Sequence, residues 1–196
     1  MRLFKKILLL IFSLLFIFLL LIFFMYRNWE QKTFSKDSGI VCFTDIDEAT
    51  LNIDTKIEKF ILSDSKTEFV TFTTEEVISV LKSNIQVGES AQVEDLCVLS
   101  SKGMWSVYLK YRLGKVPVPW IVLDIVKDDR ETAEIYVKDL YIGGYLTPKI
   151  FSKKIIVEIN KGISDAIILV NENSFLGRNI KNIELLEERV VIKGSL

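Results

Sequence analysis

The chain contains no histidine. That absence removes the commonest general base and the commonest metal ligand at neutral pH. Ser-His-Asp triads, Cys-His pairs and histidine-bearing zinc sites are all excluded by it. Cysteine is nearly as scarce, with only Cys42 and Cys97 among 196 residues. Two thiolates fall short of the four that an all-cysteine zinc site needs. The two cysteines stand 55 positions apart, and two readings stay open. They pair if the domain faces an oxidising compartment, or Cys97, set in an apolar run, is a buried free thiol. With three prolines and nine glycines, no Pro-rich linker, repeat or low-complexity tract interrupts the chain. A surplus of positive charge is also missing. The chain has 25 basic and 26 acidic residues; without Arg2, Lys5 and Lys6, 22 basic residues face 26 acidic ones, a net of −4. Nucleic acid is therefore not an expected partner, since its binders carry a basic patch, and no polybasic segment is present to hold anionic lipid.

What the sequence has in excess is uninterrupted hydrophobic length. Residues 7–25 read ILLLIFSLLFIFLLLIFFM, with no charge and one polar side chain, Ser13. At about 1.5 Å per residue this run spans roughly 28 Å as a helix, close to the hydrocarbon thickness of a bilayer. A buried core helix would keep a polar face. A cleaved signal peptide would have a shorter apolar run followed by small residues. Here the run passes into Tyr26, Arg27, Asn28 and Trp29, without a small-x-small pattern or a lipid-accepting cysteine. Tyr26 and Trp29 suit the headgroup layer. The segment reads as an uncleaved signal anchor. Arg2, Lys5 and Lys6 precede it and Arg27, Lys32 and Lys36 follow it. The short tail without an acid favours a cytoplasmic N-terminus and an extracytoplasmic domain. The expected organisation is a tail at 1–6, a transmembrane helix at 7–25, a stalk at 26–43 and one domain at 44–196.

In the domain, residues 44–62 carry Ile46, Ala49, Ile53, Ile57, Phe60 and Ile61 at helical spacing. A short strand at 69–72 leads into Thr73 and Glu76, which have the spacing of a capping box ahead of a helix to about Asn84. The period then changes to two. Residues 92–100 form a strand, Lys102-Gly103 a turn, and 105–113 the clearest half-buried strand, with Trp105, Val107, Leu109, Tyr111 and Leu113 on one face. Pro117 and Pro119 suit an edge or a bend. Strands at 120–127 and 132–142 follow. Gly143-Gly144 breaks the sheet, and Thr147 with Pro148 opens a helix reaching about Asn171. Phe151, Ile155, Ile159, Ile163, Ala166 and Val170 lie along one side of it. A loop at 173–178 and a hairpin at 180–193 close the chain. This order predicts an α+β fold: an N-terminal transmembrane helix, then one domain with a curved antiparallel sheet wrapped on a long C-terminal helix.

The segments FTTEEVISVLKSNI (72–85), YLKYRLGKVPVPW (108–120), VKDLYIGGYLTPKIF (137–151) and IELLEERVVIKG (183–194), together with the anchor, resemble the YpmS-like single-pass membrane proteins of Gram-positive bacteria. The likeness spans about residues 69–196. The passage of the sheet through a Gly-x-x-x-Pro corner into a long helix is also similar to tubular lipid-binding (TULIP-like) domains. That likeness implies a curved sheet clasping a helix around an apolar groove.

The acidic clusters Asp45/Asp47/Glu48, Asp128/Asp129/Glu131 and Glu184/Glu187/Glu188 fit solvated turns better than catalytic pairs or calcium loops. Gly143-Gly144 lacks the pattern of a phosphate loop. No catalytic arrangement, metal or cofactor is expected. The features that offer binding are Trp105, Val107, Leu109, Tyr111 and Trp120 on the strands and Ile155, Ile159 and Ile163 on the helix. They read either as plain core or as a groove for an acyl chain. The sequence thus points to a non-enzymatic envelope protein, held in the lipid bilayer, whose external domain binds a lipid or other hydrophobic ligand. The alternative is a tethered module that contacts an envelope protein partner in a cell-wall or secretion complex.

Overall fold

The computed structural model describes residues 2–84, 91–128, 130–172 and 178–196. It separates into two compact units, Met1–Ser38 and Gly39–Leu196. The first is the helix α1 (Arg2–Thr33). Its apolar side chains from Ile7 to Met25 are exposed all round. The part Lys6–Thr33 is long and apolar enough to cross a membrane. The helix runs past Met25 into the stretch read as a stalk. There the Tyr26 and Trp29 rings lie 6.0 Å apart, and Arg27 pairs with Glu30 at 3.3 Å.

The second unit is α+β. Its elements are β1 (Val41–Cys42), α2 (Ile53–Leu62), β2 (Thr67–Thr73), α3 (Thr74–Asn84), β3 (Ala91–Ser101), β4 (Met104–Leu113), β5 (Val116–Pro117), β6 (Ile121–Lys127), β7 (Ile135–Ile142), β8 (Tyr145–Leu146), α4 (Lys149–Glu172), β9 (Asn179–Leu186) and β10 (Arg189–Ser195). Among the described residues they form two antiparallel sheets. The larger has the order β1-β3-β4-β6-β7-β8 with β5 on the end of β4; the smaller is β2-β10-β9. The terminal hairpin therefore takes β2 as its partner and makes a sheet of its own. The reason lies in its length: all seven residues of β10 find partners in β2.

The register assigns the faces. Trp105, Val107 and Leu109 of β4 stand opposite Ile125, Leu123 and Ile121 of β6. Side chains alternate along a strand, so these share one face. That face meets the smaller sheet and α3 in a core of Ile78, Leu96, Val98, Trp105, Val107, Ile183, Leu185 and Val190. The sheets are joined at the tip of the β3–β4 hairpin. Gly103 N–H donates to Leu185 O at 2.8 Å, and Glu188 N–H donates to the Ser100 hydroxyl at 3.1 Å. Gly103 holds φ at +78°, which a glycine adopts without steric penalty.

Several local expectations change. The helix read over 44–62 starts only at Ile53. Before it lie two single 3₁₀ turns, Phe43–Asp45 and Glu48–Thr50. The Asp47 side chain accepts from Ala49 N–H at 3.1 Å and the Thr50 hydroxyl donates to Asp47 O at 2.7 Å. Such short-range side-chain bonds compete with the helical ladder. Val41 and Cys42, placed in the stalk, are an edge strand lying on β3. The capping box holds: Thr73 N–H donates to Glu76 Oε2 at 2.9 Å and Glu76 N–H to Thr73 Oγ1 at 3.4 Å. Thr147 does not use its hydroxyl as a cap; that oxygen is buried without a hydrogen-bond partner.

Helix α4 packs against β7 and β9, but through a face turned from the one expected. Phe151 is 69% and Ile155 49% exposed, whereas Ser152 is buried and Asn160 and Ile167 are half-buried. The cause is polar. β8 covers only Tyr141 and Ile142 of β7. Farther along, Val137 N–H donates to Asn160 Oδ1 at 2.6 Å and Asn160 Nδ2 donates to Val137 O at 3.0 Å. One carboxamide thus replaces a missing strand at an open edge. Satisfying that backbone turns Asn160 inward and the outer isoleucines away.

Candidate functional site: an apolar cavity between the sheets

A cavity of about 310 Å³ lies where the two sheets meet α2 and α3. Its walls are apolar throughout. Trp105, Ile125 and Ile135 come from the larger sheet, and Phe72, Ile183, Leu185, Val190 and Ile192 from the smaller. Ile53 and Ile57 of α2 and Val77, Val80 and Leu81 of α3 close the remaining side. The sheet residues Ile183, Leu185 and Val190 are buried, while Ile53 and Ile57 are half-buried and Val80 is exposed. The cavity therefore opens between the two helices. The Trp105 indole N–H donates to Leu186 O at 2.9 Å, so its one polar atom has a partner away from the lining. A cavity without polar partners stays dry and takes apolar guests. Its volume lies at the lower end of ligand sites.

The helices over the mouth are set by charge. Lys56 of α2 pairs with Glu76 of α3 at 2.6 Å. Burial pushes the Glu76 carboxyl up, but the Lys56 ammonium and Thr73 N–H outweigh it and hold the group below its ordinary 4.5. The far end of α2 is held by Arg178. Its Nε donates to Phe60 O at 2.7 Å, one terminal nitrogen to Ser65 O at 2.8 Å and the other to Ser63 O. The guanidinium also lies 5.6 Å from the Phe60 ring. A cation on the last carbonyls of a helix is favoured both by hydrogen bonding and by the helix dipole. Gly194 of β10 is required beside it, because a Cβ there would lie 2.4 Å from Phe60.

Of the residues that the sequence offered for ligand binding, only Trp105 lines this cavity. Val107 is buried in the adjoining core and Leu109 packs against it. Tyr111 stands half-buried opposite Val93. Trp120 is buried on the other face of the larger sheet, with Lys110 Nζ 5.3 Å from its ring. Ile155 is exposed, and Ile159 and Ile163 are half-buried on α4. Sheet and long helix thus do not enclose the groove between them; the enclosed space belongs to the other helices. Its walls on α2 and α3 belong to two helices that the sequence offers separately, and no spacing reveals that they share a partner.

Cys42 and Cys97 stand directly opposite each other on β1 and β3 and form a disulfide. Among the described residues, Cys42, Asp95 and Cys97 are the one group of three metal-ligating side chain types drawn together, and both sulfurs are committed to each other. Burial raises the Asp95 carboxyl, against the Leu96 and Thr44 N–H groups and the Lys82 ammonium. A disulfide fits a domain outside the cytoplasm, and the apolar α1 fits a membrane anchor or a secretion signal.

No family model, curated protein or solved structure matches this chain.

Proposed function

We propose that the chain is a single-pass membrane protein, with a cytoplasmic N-terminus and an extracytoplasmic domain that binds the acyl part of a lipid or another hydrophobic ligand without catalysis. The observation that carries this reading is the wholly apolar cavity of about 310 Å³. Burying an acyl chain contributes roughly 0.8 kcal/mol per methylene, so about eight carbons supply some 6 kcal/mol before ordering costs. The ligand would enter at the mouth between α2 and α3, away from α4. The test is native mass spectrometry of protein purified in mild detergent. Co-purifying lipid is expected in the natural chain and should be lost from Leu81→Trp, which fills the cavity. Equal lipid content in both proteins would count against the cavity as its site.

A second reading rests on α4. Ile150, Phe151, Ile155, Val157, Ile168 and Leu169 are exposed along it. An envelope protein docked there would make the domain an interaction module. In that case Phe151→Ser with Ile155→Ser should abolish partner capture and leave bound lipid unchanged.

A further inference from the structure

One end of the larger sheet is apolar and cationic at once. β4 continues past its last pairing with β6, Leu109 with Ile121, and turns back into β5 between Leu113 and Val116. Ile121 stands opposite Ile142 of β7, and Ile142 pairs with Tyr145 of β8, just ahead of α4. The register thus sets the β4–β5 turn and β8 at the same end, three strand spacings or about 14 Å apart. Leu113, Val116, Ile142, Tyr145, Ile150 and Phe151 are all exposed there, Ile150 at 83%. Lys115 in the turn and Lys149, Lys153 and Lys154 in the first two turns of α4 are exposed with them. Residues 110–123 and 142–157 contain no acid. Glu94, brought in by β3, is paired with Arg112.

Charge and residue type identify what covers this surface. A helix N-terminus is the positive end of the dipole and favours acids in its first turn. The first turn of α4 has none and opens on Lys149. The domain therefore gathers like charge at this end, and an anionic surface relieves it. Lysine is depleted where proteins meet proteins. At a bilayer its stem lies along apolar surface while its ammonium reaches the phosphates. Tyr145 suits the same layer. A bilayer is also within the chain's reach, since α1 is long and apolar enough to cross one.

We infer that the domain docks on an anionic bilayer surface through this end, with Ile150 and Phe151 below the phosphates and Lys115, Lys149, Lys153 and Lys154 level with them. The cations come from two stretches that only the sheet brings together, so neither stretch is polybasic by itself. The inference is independent of the cavity, rests on α1 being the anchor, and takes the start of α4 for lipid instead of for a protein partner.

The test is spin-label depth measurement on the full chain in nanodiscs, with relaxation by oxygen and by a water-soluble nickel chelate. One label is placed through Ile150→Cys and a control through Ser164→Cys, farther along α4. Both native cysteines are held in the disulfide, so the label takes only the new thiol. In discs of phosphatidylcholine with phosphatidylglycerol, label 150 should be reached by oxygen and shielded from nickel, while label 164 stays open to nickel. Lys149→Glu with Lys153→Glu and Lys154→Glu should lower the docked-to-free ratio at label 150 at least about ten-fold. Unchanged mobility of label 164 in that variant shows that α4 is intact. Equal depth in discs of phosphatidylcholine alone would overturn the anionic surface. A label 150 immobile and shielded from both relaxants would mean a protein contact, such as a second copy, and would overturn lipid docking. A chain that stays in the disc with label 150 in water leaves the anchor standing and overturns the docking alone. A chain that leaves the disc overturns both.

Discussion

Arg178 does at the residue scale what a loop residue seldom does. It is 2% exposed, and its guanidinium satisfies one carbonyl in the last turn of α2 and two just beyond it. Removing it leaves those acceptors without their donor at the close of a helix that walls the cavity. Arg178→Met should lower stability by about 3 kcal/mol or more, read as a shift of the denaturant midpoint at unchanged slope. Arg178→Lys should recover only part of the loss, since one ammonium cannot reach three carbonyls in the planar fork geometry. Glu76 makes a prediction with a sign. Its carboxyl is held low in the folded protein, chiefly against its own burial, by Lys56 and Thr73. A lowered folded value contributes stability above the ordinary 4.5, and that contribution is lost as pH falls through the folded value. Denaturation measured between about pH 3 and pH 7 should show the advantage of the natural chain over Glu76→Gln shrinking below the ordinary carboxylate range. Asp95, raised by burial, works with the opposite sign and remains in both proteins.

At the scale of elements, α4 shows how one polar residue orients a helix. Twenty-four residues long, it has isoleucines on several sides, so apolar pattern alone permits several rotations. The Asn160 amide selects one by closing the open backbone of β7. Asn160→Ala should expose Val137 N–H and O without a partner and cost about 2–4 kcal/mol for the two lost bonds. Hydrogen exchange at Val137 should accelerate well before exchange at the centre of β4. Asn160→Leu, which keeps the volume, should fail to restore protection. A rescue by leucine would mean that packing, and not hydrogen bonding, seats the helix. The disulfide belongs to the same scale, because it fastens β1, only two residues long, to β3. Closing a loop across 55 positions contributes roughly 4 kcal/mol in the chain-entropy account. Cys42→Ser with Cys97→Ser should lose about 2–4 kcal/mol, and the natural protein should lack free thiol under non-reducing conditions.

For the whole molecule, the proposed topology joins the anchor to the disulfide. An uncharged run at residues 7–25 should hold the full chain in the membrane pellet through alkaline carbonate washing. Release by carbonate would exclude an uncleaved anchor. Protease added outside intact cells, after removal of any wall, should clip the main domain. Cleavage only in broken cells would place the domain inside, where its disulfide would be kept reduced.

The sequence by itself determined most of the elements and the long apolar helix at the N-terminal end. Hydrophobic length needs no partner to be recognised, and neither does an alternation such as Trp105, Val107 and Leu109. The capping box at Thr73 and Glu76 is legible for the same reason: both members lie within one turn. What depends on partners distant along the chain was decided only by the tertiary structure. Cys42 meets Cys97 because β1 lies on β3, and a strand of two residues carries no periodic signal. Arg178 is buried because it reaches carbonyls more than a hundred positions earlier. Ile53, Val80, Trp105 and Ile183 share one cavity because two sheets and two helices stop short of filling the space between them. Periodicity records which side of an element is apolar. Which neighbour covers that side, and whether a gap remains, depends on long-range pairing and on where the buried polar groups find their partners.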